Sequence, residues 1–386
     1  MLFTIIIFIL VLSVLVFAHE LGHFVSARVF GLRPKEFGFG FPPRLFGVYK
    51  NKEGRWKKIF GKEDAADAAD TVYSANWIPL GGFVNLGEDD LNETGPDSFA
   101  GKKIWQRAII LSAGVAMNIV LAAILISIGF IFGLPRSLDN IPPEASVTGR
   151  KIQIVQILPG SPAEKAGLKL GDVIAEIDGR RFDDYRDLQN YVDGKVGKNL
   201  DYKIERGAEA KNFQIRPEVI AETGKGGAGV AIAESGIVRY PFFQAIWEGI
   251  KYTALMTWGI LLAFYELFKG LLFGRGVSAD LAGPVGIAAL TGQVARMGFA
   301  YLVQFAAMLS INLAIINFLP FPALDGGRVL FLIIEKIKGR PVKRELEALM
   351  HNIGFSLLMV LVLIVTFRDL SRFKDFFLRI WEKVVS

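Results

Sequence analysis

Eighteen residues without a single charge, Met1 to Ala18, run directly into His19-Glu20-Leu21-Gly22-His23. The apolar stretch continues to Phe30 before Gly31-Leu32-Arg33-Pro34 ends it. Such a stretch reads as one membrane-spanning helix, because about 20 residues at 1.5 Å each cross a hydrocarbon core of roughly 30 Å. No Lys or Arg precedes Arg28, and no small-residue cleavage pattern follows, so we read a retained span and not a signal peptide. Three ionisable groups in one turn of a membrane helix cost several kcal/mol unless they pair, face a wet cavity or bind a metal. That constraint dominates everything the chain can be.

Spacing selects among those options. His19 and His23 stand at i and i+4, neighbours on one helix face, so their imidazoles can grip one Zn²⁺ while Glu20 lies near the open position and deprotonates a bound water. The chain has no cysteine and only three histidines, His19, His23 and His351, so any metal is held by His, Asp or Glu. A catalytic zinc site takes a third protein ligand. Asn317-Phe-Leu-Pro-Phe-Pro-Ala-Leu-Asp-Gly-Gly supplies a candidate: Pro320, Pro322, Gly326 and Gly327 prevent a regular helix, freeing backbone groups and letting Asp325 reach inward. Two alternatives stay open here, that Asp325 merely caps the following helix and that His351 is the third ligand.

Further apolar runs follow at Ala108 to Phe132, at Met297 to Leu319, and at Ile353 to Phe367 extended back to Ala348. Phe242 to Phe273 is apolar but carries Glu248, Lys251, Glu266 and Lys269, which fall on one side at 100° per residue. We expect this segment to lie on or against the membrane, which leaves four transmembrane helices and returns Asp325 to the side of His19. Twelve Lys and Arg lie between Arg33 and Arg107 and six between Arg328 and Arg344, which places the zinc motif at the cytoplasmic side of the membrane. The five basic residues from Arg368 to Lys383 fall on the other side and are expected in an amphipathic surface helix.

The expected organisation is a first span over 1–31, a loop over 32–103, a second span over 104–133, and an inserted soluble domain over 145–218. A region over 219–296 with its amphipathic helix at 242–273 follows, then spans at 297–327 and 348–367 and a tail at 368–386. Within the soluble domain we expect short strands such as Ile152 to Ile157, a helix start at Ser161-Pro-Ala-Glu, and turns at Asp178-Gly179 and Arg206-Gly207. At 52% hydrophobic the chain is too apolar for an ordinary soluble enzyme, and at 21% charged it is not all membrane. Its net charge of +6 comes without a basic block interleaved with aromatics, so no nucleic-acid partner is expected.

With His-Glu-Leu-Gly-His in the first span and Asn317 to Gly327 after a later one, the chain resembles the site-2 protease family (peptidase M50). Within it the likeness is to the zinc intramembrane proteases of the bacterial regulator-of-sigma-E type, and covers nearly the whole length. Leu158 to Gly179 resembles a PDZ domain, and the chain has room for one where the best-known member carries two. The resemblance implies a polytopic α-helical membrane protein with a membrane-reentrant β-hairpin at Ile78-Pro-Leu-Gly-Gly-Phe-Val and one inserted extracytoplasmic PDZ domain. Ala113-Gly-Val-Ala-Met-Asn118 is similar to the family's second-span Asn motif, and Leu281-Ala-Gly-Pro-Val-Gly-Ile to its turn after the PDZ region. It further implies His19, His23 and Asp325 as zinc ligands, Glu20 as catalytic acid/base, and Asn317 with Gly81, Gly82 and Phe83 as substrate-binding residues. For Asn118 and Asn317 interhelical hydrogen bonding is the competing role, and for Gly81-Gly82 a tight turn.

The implied activity is zinc-dependent cleavage of single-pass membrane proteins inside the bilayer after their ectodomains have been trimmed, an anti-sigma factor or a signal-peptide remnant being the expected substrate. A peptide C-terminus is the expected PDZ ligand, in a groove between Ile152 to Ile157 and a helix around Tyr185 to Val192. A catalytically silent membrane PDZ scaffold is the alternative, against which the intact zinc motif argues. A membrane-anchored protease for soluble substrates would carry that motif outside the membrane.

Overall fold

The computed structural model describes residues 2–87, 95–138, 141–158, 160–206, 209–220, 224–274 and 283–372. The turn residues Gly207, Leu281 and Ala282, and the tail beyond 372, lie outside them. The chain forms two compact units, residues 128–247 and the remainder.

In the larger unit, α1 (Leu2–Val29) is followed by three strands, β1 (Glu36–Lys50), β2 (Trp56–Phe60) and β3 (Val72–Asn85), in the sheet order β2-β1-β3. Residues 36–39 of β1 serve both ends of β3, with Phe37 opposite Val84 on one side and Tyr73 on the other. The stretch Ile78 to Val84 thus lies within β3. That strand is fastened to α1, since Ser13 Oγ donates to the Pro79 carbonyl at 2.7 Å and accepts from the Gly81 N–H at 3.2 Å.

The helix α2 (Ile104–Phe132) packs against α1 at both levels of the bundle. Ala27 and Leu32 meet Ile110 and Leu111 at one level, while Val11 and Leu15 meet Leu121 and Leu125 at the other. Where α2 ends, the smaller unit begins with β4 (Leu134–Ser137), β5 (Ser146–Ile157), α3 (Pro162–Ala166), β6 (Val173–Ile177), α4 (Tyr185–Asp193), β7 (Leu200–Arg206) and β8 (Glu209–Ile215). The two-residue strands β9 (Glu218–Val219) and β10 (Gly226–Gly227) precede β11 (Val230–Arg239). Six of these form one sheet, β4-β11-β5-β6-β7-β8, over a core that includes Ile154, Ile174, Ile177, Leu188, Tyr202 and Ile204.

Two of the local signals in this unit are realised, the helix start at Ser161 and the turn at Asp178-Gly179. Ser161 caps α3 by accepting the Glu164 N–H, and Asp178 and Gly179 both take positive φ in the turn after β6. The sheet, however, takes in strands on either side of 145–218. One consequence corrects the expected peptide groove: β5 is an interior strand, with Ile157 opposite Val230 and Ile152 opposite Glu234, so its edge is already hydrogen-bonded. It is β11 that approaches α4, with the Tyr185 N–H donating to Glu234 Oε1 at 2.9 Å.

The larger unit resumes in α5 (Phe242–Leu272), followed by α6 (Pro284–Met297), α7 (Phe299–Phe318), α8 (Asp325–Lys338) and α9 (Arg344–Arg372). Lys251 pairs with Glu248 at 2.8 Å and Lys269 with Glu266 at 3.2 Å, so the charged side of α5 is internally matched. Among the described residues, five helices are long and apolar enough to cross a membrane: α1, α2, α5, α7 and α9, of which α5 is the least hydropathic. The expected span at 297–319 is α7, separated from α6 by Gly298 at φ +124°.

Candidate metal centre

The two histidines of α1 are buried, at 6% and 5% exposure, on the face turned toward α2. Regular helix geometry alone brings their rings together, with centroids 4.8 Å apart and planes nearly perpendicular. Asp325 arrives by a different route. After α7 the chain breaks at Leu319, where Pro320 and Pro322 cannot continue a helix, and α8 restarts at Asp325 with Leu324 in the capping position. Asp325 is therefore not the cap, and its carboxylate turns to the histidines instead.

Asp325 Oδ2 lies 2.9 Å from His19 Nε2 and 3.3 Å from His23 Nε2, and the two nitrogens are 3.2 Å apart. Among the described residues, this is the one group of three His, Asp or Glu side chains whose ligand atoms converge, all within 4.8 Å. Bonds of about 2.0–2.1 Å in a tetrahedron put neighbouring ligand atoms roughly 3.3 Å from one another, so the triangle has the size a zinc ion requires.

The surroundings of the rings test that fit. His23 Nδ1 donates to the Ile110 carbonyl at 2.8 Å, which leaves Nε2 with its lone pair aimed into the triangle. His19 Nδ1 lies 3.1 Å from Asn118 Nδ2, while Asn118 Oδ1 is buried without a partner. Amide nitrogen and oxygen are distinguished only by their network. Turning this amide over gives the orphaned oxygen the His19 Nδ1–H and frees Nε2 as a ligand. A Cβ at Gly114 would strike His23 Nε2 and come within 2.8 Å of His19 Nε2, so α2 lies directly against the ligand edges and only glycine fits there. The donor set, the oriented tautomers and the glycine wall all suit a tetrahedral cation.

Glu20 does not join the triangle. Its Oε2 accepts the Val84 N–H of β3 at 3.0 Å, so the carboxylate next to the histidines faces a strand edge. Gly81 and Gly82 lie in β3 where it crosses α1: a Cβ on Gly81, at φ +67°, would strike Val16, and one on Gly82 would approach Phe17 to 3.3 Å. Phe83 pairs with Gly38 across the sheet. Asn317 sits half-buried in the last turn of α7 and makes none of the hydrogen bonds that hold the triad. His351 stands apart from the triangle, its Nδ1 accepting the Ala323 N–H at 2.9 Å. Sequence reasoning gave Asn118 only a divided role and overlooked Gly114 and the Ile110 carbonyl. An Asn four residues after a Gly in an uncharged span was the available signal.

The chain is similar to known proteins over nearly its full length. The profile described as Peptidase family M50 matches residues 7–62 and 57–361. The regulator of sigma-W protease RasP of Bacillus subtilis (strain 168) is 30% identical over 451 residues, covering 96% of this chain and 98% of that protein. Zinc metalloprotease RasP of Geobacillus kaustophilus (strain HTA426) is 30% identical over 449 residues, with 96% and 98% covered. Among solved structures, the PDZ domain of an SdrC-like protein from Listeria monocytogenes aligns at 26% identity and TM-score 0.21, covering 22% of this chain and 92% of that domain. With a family match over most of its length and a buried His-His-Asp group among long apolar helices, the chain belongs to peptidase family M50 and is a multi-pass membrane metalloprotease.

Proposed function

We propose that the protein is a zinc-dependent intramembrane endopeptidase that cuts single-pass membrane proteins, with His19, His23 and Asp325 as metal ligands and Glu20 as the catalytic acid/base. The observation that carries this reading is the convergence of His19 Nε2, His23 Nε2 and Asp325 Oδ2 beside Glu20. Bound there, zinc would supply a Lewis acid and a water acidic enough to be deprotonated near neutral pH. Glu20, beside the ligands, would accept a proton from the attacking water and return it to the leaving amine. Asn118 and the Ile110 carbonyl hold the imidazoles in the tautomers that ligation needs.

The contact between Val84 and Glu20 gives the strand a role. A membrane helix hides its peptide groups in internal hydrogen bonds, so it must be unwound before hydrolysis, and an extended substrate needs replacement partners. The edge of β3 around Gly82 to Asn85 faces the general base and can offer them by strand addition. Gly81 and Gly82 act here by letting β3 lie close to α1, and Phe83 follows them on the same stretch of strand, opposite Gly38.

The meeting of Asp325 with His19 supports four spans. Between the end of α1 and the start of α8 the chain must cross the bilayer an even number of times. With α2 and α7 crossing, α5 then lies along the membrane. The basic residues at 33–107 and 328–344 support a triad that faces the cytoplasm and a β4–β11 sheet outside it. There the sheet domain restricts entry to substrates already trimmed by another protease. Val230 to Ala233, beside α4, is the strand that fits a peptide C-terminus.

The test is a comparison of membrane proteomes from cells carrying wild type or Glu20→Gln. Single-span fragments accumulate in the variant if the reading is right. A protein serving only as a scaffold would leave the two proteomes alike.

A further inference from the structure

Two residues before Asp325, Ala323 has φ +77°, a left-handed conformation that residues with a Cβ rarely adopt. The loop around it has few internal ties: Pro320 and Pro322 lack N–H groups, and the N–H groups of Phe321 and Leu324 bond within the loop at 2.7 and 3.2 Å. The Ala323 N–H alone reaches outside it, donating to His351 Nδ1 on α9 at 2.9 Å. One turn further along the same face, Gly354 lets α9 lie against Pro322: a Cβ there would strike the Pro322 carbonyl oxygen and stand 2.7 Å from its carbon. The His351 ring is steadied by Phe331 of α8, with centroids 5.6 Å apart. At its other end α9 is anchored by Asp369, whose Oδ2 accepts the Gly286 N–H of α6 at 2.7 Å.

We infer that His351 is a positioning residue for Asp325: from α9 it holds the left-handed turn at Ala323 that aims the carboxylate at His19 and His23. A part-buried N–H deprived of its acceptor is unfavourable, and so is alanine at positive φ, so without His351 the loop relaxes toward negative φ. Asp325 Oδ2, two residues on, then leaves the 2.9 and 3.3 Å positions it holds against the two histidines. The inference rests on the zinc reading of that triad, and α9 acts through the loop without touching the metal.

Full-length protein in detergent is titrated with Zn²⁺ against a chelator of known affinity, and its Co²⁺-loaded form is read by visible absorption. His351→Leu is expected to weaken zinc about tenfold, at the lower end of what outer-shell partners contribute, and to shift the Co²⁺ spectrum. Adding Ala323→Gly to that variant is expected to regain most of the loss, because glycine holds positive φ without a tether. A role in packing alone gives no such rescue. Wild-type affinity in His351→Leu would overturn the inference, as would a double variant no better than the single one. Should His351→Leu not accumulate as folded protein, Gly354→Ala presses on the same loop through Pro322. A similar loss is expected, and unchanged zinc affinity would overturn the inference. Wild-type protein that binds no zinc would instead sink the metal-centre reading itself.

Discussion

The ligands reach the triad by two unlike routes. His19 and His23 are presented by an unbroken helix whose periodicity brings their rings together, and Asn118 and the Ile110 carbonyl of α2 orient them there. Asp325 is presented by a break, a loop of prolines, one left-handed alanine and a helix that restarts at the ligand itself. The first arrangement is fixed by helix geometry and two contacts from α2, and the second by contacts from α7, α8 and α9. Disturbance should therefore be tolerated near α1 unless it touches the rings, and felt at a distance around Asp325.

The largest effect comes from removing either kind of ligand. His19→Ala, His23→Ala and Asp325→Ala are each expected to abolish cleavage, with losses of bound zinc graded by ligand, read by metal analysis of the purified protein. Full activity in Asp325→Ala with none in His351→Ala would exchange the third ligand. Next comes Gly114→Ala, whose Cβ occupies the ligand edge of His23. It should lower zinc affinity about a hundredfold with helix content unchanged by circular dichroism, an effect at the upper limit for residues beyond the ligands. Asn118→Leu, which removes the amide oriented on His19, should cost about tenfold in the same titration, and Asn118→Asp should retain a partner for Nδ1–H. An equal, small loss in both would mean that α1 aligns its rings without help.

The smallest effect on the site is expected from the sheet domain. Asp172 is buried there, which raises its pKa. Two bonds from Arg206, at 2.7 and 2.8 Å, and the Lys169 N–H outweigh that and leave it below the usual carboxylate range. A lowered folded-state pKa contributes stability above the unfolded value, lost as pH falls toward and through the folded one. Hydrogen exchange in the full chain should show residues 172–206 losing protection first on acidification. Arg206→Met should remove that pH dependence while zinc affinity stays at the wild-type value. A fall in zinc affinity in Arg206→Met would contradict the independence of the two regions.

The sequence made the regular route legible and left the irregular one half hidden. His19, Glu20 and His23 announce themselves because charged groups are expensive in an apolar helix, and Asp325 because prolines and glycines mark irregular backbone at that depth. What could not be read was pairing over long separations: that Glu20 accepts from Val84, that β11 and not β5 lies beside α4, and that His351 serves a backbone N–H. Each depends on which elements meet, and composition or periodicity within one element carries no record of that.

X-ray absorption at the zinc edge of the purified, zinc-loaded protein tests the central claim most directly, since the chain holds only three histidines and no cysteine. The account predicts a first shell of nitrogen and oxygen at about 2.0–2.1 Å with two imidazoles, the same two in His351→Leu, and fewer in His19→Ala or His23→Ala. A shell with three imidazoles, or one unchanged when His19 or His23 is replaced, would contradict it.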